Sequence, residues 1–435
     1  MDLLEYQGKL LMAAAGVPKP RGRSARNVRE ARQAAAAIGY PVMVKAQVLA
    51  GGRGKAGGVQ VAAGPEEVSD VTERILRLTI GGRPVHSLLI EEVVRIQKEF
   101  YLAITLDRRE GRPLLLLSPH GGANVEDIAR LHPEELCRVH LDPLQDPFAA
   151  VHDAVWASVV DIVSDAGLGV SFRDDMLHVI ASVYKVYRDS DATLIEINPL
   201  AVVNGRGDCA MQELLALDAK VSIDDSAMFR HGELAGWRID TDDRERRARE
   251  AGVTYVTLDG DMGVLGNGAG LVMSTVDQIA NAGGSAANFC DIGGGARSVQ
   301  IAAALRVVAS DQRVKSLLIN VFGGITRGDE IAAGLLEALA AIPRMRQVPI
   351  VVRLEGNSAV EGRELLRAAT LPNLHVIDTA PAAIQLAVEL AKQAPTVQPL
   401  RVVRDLCADP MEPEPPRTDA IDLDSLMPAV RDPEE

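Results

Sequence analysis

The sequence predicts an α/β protein whose second half is a doubly wound parallel sheet, and three patterns carry that prediction. From residue 248 onward apolar strands alternate with amphipathic helices, and glycines cluster at the junctions. Earlier, residues 42–58 read VMVKAQVLAGGRGKAGG, a strand-forming run entering a glycine loop, and Gly58-Val59-Gln60-Val61-Ala62 then resumes as a second strand. Between the two regions the polar stretch 240–250 is the natural linker. A chain of 435 residues is long enough for about two or three domains with sizeable cores.

In the first region, residues 1–15 have helical spacing, with Leu3, Leu4, Leu10 and Leu11 on related faces and Gly16 and Pro18 ending the run. Asn27 followed by Glu30 makes a capping box for an alanine-rich helix that reaches Ile38. Strands are expected over 85–92, 99–107 and 114–118, and helices over 148–166 and 174–187. A hairpin follows: strand 193–203, the turn Asn204-Gly205-Arg206-Gly207-Asp208, and a return strand ending near Asp218. In the second region Tyr255-Val256-Thr257-Leu258 precedes a glycine loop and a helix around 271–282. Ala287-Asn288-Phe289 precedes Gly293-Gly294-Gly295 and another helix, and 317–321 precedes Gly323-Gly324 and a third. Strands 350–354 and 374–377 repeat the design. The expected domains are therefore 1–239 and 251–394. The Pro- and acid-rich tail 395–435 has too little apolar pattern to fold alone and is expected to be disordered.

Charge and composition exclude several classes. The net charge of −14 is concentrated at the end, where residues 405–435 carry ten acids and two arginines, and nothing suggests a nucleic-acid surface. No apolar run reaches membrane-spanning length, and the N-terminus has no signal pattern. Cys137, Cys209, Cys290 and Cys407 lie far apart and match no metal spacing, so reduced thiols and a cytoplasmic location are expected.

Chemistry concentrates in a few places. Lys45, on the strand, with Arg53 and Lys55, in the loop, could clamp a polyphosphate that the loop N–H groups also reach. The P-loop pattern fails, because Ala56 follows Lys55 and position 49 is Leu49. Gly52-Arg53-Gly54-Lys55-Ala56-Gly57 satisfies G-x-G-x-x-G, but a dinucleotide fingerprint opens a helix and this loop opens a strand. The shape is a flap over phosphates; an ordinary glycine-rich hairpin is the structural alternative. Glu196 and Asn198 alternate onto one face of their strand, where Asp218 could join them as hard oxygen ligands for Mg²⁺. A solvated hairpin face would look the same. Glu91 and Glu99 flank a short connection and could accept hydrogen bonds from an adenosine, or mark a surface turn. Asn267-Gly268-Ala269-Gly270 and Gly324-Ile325-Thr326 stand where helices begin and are candidate carboxylate or phosphate sites, or simply tight βα turns. The histidines show no HExxH or paired metal spacing.

Taken in order, these motifs resemble the β subunit of succinyl-CoA synthetase (succinate–CoA ligase). The matching strings are Leu4-Glu5-Tyr6-Gln7, KAQVLAGGRGKAGG, KEFYLA from Lys98, LIEINPLAV from Leu194 and LDAK from Leu217. After the linker come LDGDMGVLGNGAGLVMSTVD from Leu258, ANFCDIGGGA from Ala287, NVFGGITRGDE from Asn320 and VVRLEGN from Val351. The resemblance spans almost all of residues 1–392. It implies an ATP-grasp domain followed by a flavodoxin-like CoA-ligase domain. It also implies a partner α subunit that binds CoA and carries a phosphorylated histidine, in an αβ or α₂β₂ hetero-oligomer. Carried over by position, Lys45, Gly52, Arg53, Gly54, Glu91, Val94 and Glu99 would bind nucleotide, and Asn198 and Asp218 would bind Mg²⁺. Glu196 would face the phosphohistidine, and Asn267, Gly324, Ile325 and Thr326 would contact substrate. Pro20 stands where the family's ATP-using forms have proline; GTP remains possible. The sequence departs from the family at His120, in the hairpin around 211–215 and in the tail. These departures leave room for a malate–CoA ligase or another ADP-forming acyl-CoA synthetase. A non-catalytic paralogue is disfavoured by the intact set Lys45, Arg53, Asn198 and Asp218.

Overall fold

The computed structural model describes residues 1–122, 125–131, 133–166, 168–169, 171–204, 212–239, 242–325 and 327–394. They divide into two compact units, 1–239 and 242–394.

The first unit is built on two sheets. Strand β1 (Asp2–Leu3) leads into helix α1 (Glu5–Ala14), and β2 (Gly22–Ala25), α2 (Val28–Ile38), β3 (Val42–Ala46), β4 (Val59–Ala62) and α3 (Pro65–Leu76) follow. A short ribbon of β5 (Thr79–Ile80) and β6 (Arg83–Pro84) precedes β7 (Leu88–Glu92). Strands β2, β7, β3 and β4 form a four-stranded antiparallel sheet in that order. Helices α2 and α3 cover it because alanine and valine recur at helical spacing: Ala31, Ala34, Ala35 and Ile38 on one, Val68, Val71 and Ile75 on the other, all buried. Half of the expected capping box is present, and the Glu30 side chain reaches one residue further back than the N-cap. The Asn27 side chain accepts from the Glu30 N–H, and the Glu30 carboxylate accepts from the Arg26 N–H at 2.8 Å.

The larger sheet uses β8 (Ile96–Asp107), β9 (Arg112–Ser118), β10 (Cys137–His140), β11 (Ala192–Asn204), β12 (Gln212–Ala216) and β13 (Lys220–Ile223), joined at one edge by β1. Helix α4 (Val125–Leu131) lies between β9 and β10, while α5 (Pro147–Asp165) and α6 (Ser171–Asp189) pack together against the sheet. The two-residue period decides what is covered: Phe100, Leu102 and Ile104 enter the main core, while Tyr101 and Ala103 pack on the other face under Ile128. Helix α7 (Gly232–Ala235) closes the unit.

Two expectations change here. The helix does not start at residue 1, because Asp2–Leu3 pairs antiparallel with β13 and the terminal amine donates to the Ile223 carbonyl at 2.6 Å. The return arm of the hairpin is two strands, since β12 and β13 pair with different stretches of β11. Asp218 lies in the break between them, where the Leu217 N–H donates to the Pro199 carbonyl at 3.1 Å.

The second unit opens with α8 (Asp243–Glu250), so most of the stretch expected as linker is helix. Its Ala248 is buried, and Arg244 pairs with Asp311 at 2.5 Å. Strands β14 (Thr254–Thr257), β15 (Met262–Gly266), β16 (Asn288–Asp291), β17 (Ser316–Gly323), β18 (Ile350–Gly356) and β19 (Leu374–Val376) form one sheet in the order β14-β16-β15-β17-β18-β19. Helices α9 (Ala269–Asn281), α10 (Ser298–Ser310), α11 (Gly328–Ala341), α12 (Ala359–Ala368) and α13 (Ala380–Gln393) alternate with the parallel strands. From β15 on, the order 2-1-3-4-5 is the flavodoxin-like arrangement. The sheet is not wholly parallel, however: β14 is an antiparallel edge strand on β16. What the sequence offers as a glycine loop after residue 258 contains the buried strand β15.

Candidate functional site

In the first unit, β3 puts Val42, Val44 and Ala46 into the core and Lys45 on the opposite face. There Lys45 meets two carboxylates, with its Nζ 3.1 Å from Glu5 Oε1 and 2.6 Å from Glu91 Oε2. It also donates to the Leu217 carbonyl at 2.7 Å. Arg53 reaches Glu5 Oε2 at 2.5 Å with one nitrogen and Asp218 Oδ1 at 2.6 Å with another. Lys9, one turn after Glu5 on α1, binds Glu5 at 2.8 Å and Glu91 at 2.6 Å. Three cations thus face three carboxylates.

Burial pushes the Glu5 carboxyl upward, but Lys45, Lys9 and Arg53 outweigh it and hold the group well below the usual carboxylate range. Burial likewise pulls the Lys45 ammonium down, and Glu5 with Glu91 more than reverses this. Both stay charged. The third cation of the 42–58 run, Lys55, is exposed and stands outside this cluster, where Lys9 supplies the third charge.

The loop that carries Arg53 is closed by its own backbone. The N–H groups of Ala56, Gly57 and Gly58 donate to Gly52, Gly54 and Arg53 carbonyls at 3.1, 3.0 and 2.8 Å. Gly52 has φ +71°, a conformation that favours glycine. At Gly58 a Cβ would lie 2.7 Å from Ile80 Cδ1 and 3.1 Å from the Arg53 carbonyl oxygen, so the loop packs closely there.

On β11, Glu196 and Asn198 are half-buried on one face. Asn198 Oδ1 accepts from the Gly122 N–H at 2.7 Å. Gly121 passes so close to β8 that a Cβ would meet both the Phe100 nitrogen and its carbonyl oxygen at 2.7 Å, so the Gly121-Gly122 pair positions that donor. The Glu196 carboxyl is pushed up by burial, with Asp218 and Glu126 adding to the shift and Lys220 and a hydrogen bond with Asn198 opposing it. Glu99 is half-buried beside Gly122, and its carbonyl accepts from the Gly121 N–H at 3.0 Å. Val94 packs on Ala201, Val203 and Leu215. Glu91, considered above for adenosine, is buried with its carboxylate on Lys9 and Lys45.

A divalent cation fits the chemistry of this face. The Asn198 amide and Asp218 carboxylate are hard oxygen donors, and Mg²⁺ commonly takes one or two such groups together with nucleotide phosphates. Among the described residues no group of three or more His, Cys, Asp and Glu side chains converges as a metal site.

In the second unit the strand order reverses between β15 and β17, and the crevice beyond such a point is where open α/β sheets bind ligands. Asn267 spans it: its Nδ2 donates to the Phe322 carbonyl at 2.8 Å and its Oδ1 accepts from the Phe322 N–H at 2.9 Å. The Gly268 N–H donates to Asp291 Oδ1 at 2.6 Å. Gly324 and Ile325 are exposed, Ile325 at 87%. Thr326 lies outside the described residues.

Comparison with known proteins decides the family. The ATP-grasp domain profile matches residues 2–202, and the CoA-ligase profile matches 265–390. The β subunit of an ADP-forming succinate–CoA ligase from Rubrobacter xylanophilus is 47% identical over 396 residues, covering 90% of this chain and 99% of that protein. Its counterpart from Halobacterium salinarum is 42% identical with the same coverage. The chain belongs to the succinate–CoA ligase β-subunit family. An ATP citrate lyase structure from Methanothrix soehngenii, in complex with citrate and coenzyme A, shares the fold with a TM-score of 0.68 at 19% identity, covering 89% of this chain and 99% of that one.

In this member of the succinate–CoA ligase family, Lys45, Arg53, Glu91 and Asp218 come together in one cluster, with Glu196 and Asn198 near Asp218. Gly52 and Gly54 shape the loop beside them. Sequence reasoning missed Glu5 and Lys9. The available signal was a charged pair at i, i+4 in a helix with no other charged residue, which reads equally well as a solvated helical face.

Proposed function

We propose that the chain is the β subunit of an ADP-forming succinate–CoA ligase, catalysing ATP + succinate + CoA = ADP + phosphate + succinyl-CoA together with a CoA-binding α subunit. The observation that carries this reading is the Lys45–Arg53 cation pair, joined through Glu5 and with Arg53 also on Asp218, in a chain of this family. In the direction of ATP formation, phosphate displaces the CoA thiolate from succinyl-CoA to give succinyl phosphate. Its phosphoryl group passes to a histidine of the α subunit, releasing succinate, and then to ADP. Such transfers are catalysed mainly by positioning and charge neutralisation.

Lys45 and Arg53 would bind the phosphates, with Gly52 and Gly54 leaving room for them to approach. Asn198 and Asp218 would hold Mg²⁺, which when bound offsets phosphate charge. Glu196 would face the phosphohistidine. Its raised carboxyl exchanges a proton nearer neutrality than an ordinary glutamate. Glu91 would act through Lys45, while Val94 and Glu99 border the space for the nucleoside. In the second unit Asn267, Gly324, Ile325 and Thr326 would contact the substrate side. Pro20 favours ATP over GTP by family pattern.

The test is co-expression with the α subunit and assay with succinate, malate and citrate, using ATP or GTP. Succinate-dependent turnover by the pair is expected, while the single chain binds Mg-ADP and makes no acyl-CoA. Turnover by the purified single chain would overturn the two-subunit reading. Turnover with malate alone would assign the chain to a malate–CoA ligase.

A further inference from the structure

Two residues of α1 are buried among the charged groups of the nucleotide site, and the reaction described above gives them no task. Glu5 and Lys9 side chains are each only 1% exposed. A carboxylate taken out of water costs several kcal/mol unless neighbouring charges compensate. Glu5 is compensated on both oxygens. Its Oε1 lies 2.8 Å from Lys9 and 3.1 Å from Lys45, while its Oε2 lies 2.5 Å from Arg53 and accepts from Gln47 Nε2 at 3.3 Å. Among the described residues Glu5 is therefore the carboxylate that pairs with both Lys45 and Arg53, which come from a strand and from the loop after it. Lys9 completes the array by binding Glu91 at 2.6 Å and the Leu217 carbonyl, next to Asp218, at 2.9 Å.

Long cationic side chains have many rotamers, and fixing two of them toward one ligand carries an entropic cost each time the ligand binds. Pairing them to a buried carboxylate beforehand removes that cost at the moment of binding. We infer that Glu5 is a positioning residue of the nucleotide site, holding Lys45 and Arg53 as one fixed array for the phosphates of a nucleoside di- or triphosphate, with Lys9 balancing the charge. The inference rests on the nucleotide-binding reading above. Glu5 touches no ligand atom; it acts through the two cations, and so only on the part of the affinity that depends on phosphate.

That restriction supplies the experiment. Mg-ADP and adenosine are titrated into the full-length chain by calorimetry and by saturation-transfer NMR, for the wild type, Glu5→Gln and Lys45→Met. The expected result is an affinity for Mg-ADP at least tenfold weaker in Glu5→Gln, with adenosine binding unchanged within twofold. Loss of both ligands by the same factor would mean a merely structural role and overturn the inference. So would wild-type Mg-ADP affinity in Glu5→Gln while Lys45→Met loses it, a result that leaves the nucleotide site standing. If the wild type binds no Mg-ADP, or Lys45→Met binds it as well as the wild type, the nucleotide reading and the inference fall together. Should Glu5→Gln not fold, the Glu5→Gln/Lys9→Met double variant removes one charge of each sign and is judged by the same two titrations.

Discussion

At the scale of single residues, the buried charge cluster bears on the stability of the first unit. Removing one partner of a buried ion pair typically costs about 3–5 kcal/mol, because the opposite charge is left without compensation. Glu5→Gln leaves Lys9, Lys45 and Arg53 facing two carboxylates, so a loss of about that size is expected in urea unfolding of the first unit near pH 7. The pH dependence follows from the sign of the shift. Burial raises the Glu5 carboxyl, but Lys45, Lys9 and Arg53 prevail and its folded pKa lies below the unfolded one. Its contribution is therefore complete above the unfolded carboxylate value, about 4.3, and is lost as pH falls through the lowered folded value. The stability gap between wild type and Glu5→Gln should shrink steadily in acid. A gap that stays constant from pH 7 down to the acid transition would reject this account. That Lys45 and Arg53 come together was legible in the sequence, because one strand and the loop directly after it carry them. Glu5 and Lys9 were not, because only the folded chain brings α1 against β3 and the residues next to Asp218.

Among the elements, β15 shows how glycine misleads a sequence reading. Gly260, Gly263, Gly266 and Gly268 read together as a loop, yet residues 262–266 form a fully buried strand. The glycines are there because neighbours come too close for side chains. A Cβ on Gly266 would lie 2.9 Å from the Asn320 carbonyl oxygen and 2.9 Å from Val272 Cγ2. A Cβ on Gly263 would meet side chains only, Val308 Cγ1 at 2.8 Å and Leu317 Cδ1 and Val314 Cγ1 at 3.2 Å. Backbone of an adjacent strand cannot retreat without breaking its ladder, whereas methyl groups can. Overpacking costs about 1–3 kcal/mol. Gly266→Ala should therefore fall at the top of that range and Gly263→Ala near the bottom, read as the difference between their urea midpoints. The reverse ranking would show that the α10 side is the rigid one. The βα units of β16, β17 and β18 were legible because each strand is a short run ahead of glycines and a helix. Helix α8 was not: its sequence is almost wholly charged, and what ties it to the unit, the burial of Ala248, the Arg244–Asp311 pair and the Thr257 N–H that donates to Glu245, exists only in the folded chain.

For the whole molecule, the order of motifs was enough to predict an ATP-grasp domain followed by a CoA-ligase domain, since each motif follows its own strand and the sequence lists them in family order. The tail 395–435, which its composition marks as unable to fold alone, lies outside the described residues. Each unit has its own sheets and its own core. Both tryptophans, Trp156 and Trp237, belong to the first unit, so their fluorescence reports on it alone. Cys290 belongs to the second. It is fully buried, and burial, with Asp291 adding, pushes its thiol up to about 12. Alkylation needs the thiolate, so Cys290 should stay unlabelled by iodoacetamide at pH 8 until its own unit unfolds. A ligand that binds one folded unit stabilises that unit by about 2.7 kcal/mol at a hundred times its dissociation constant. Mg-ADP at that excess should raise the urea midpoint seen by tryptophan fluorescence and leave the midpoint of Cys290 labelling, read by peptide mass spectrometry, where it was. If both midpoints rise together, the two units unfold as one cooperative body. If only the Cys290 midpoint rises, the nucleotide site lies in the second unit, and Lys45 and Arg53 are not the groups that bind it.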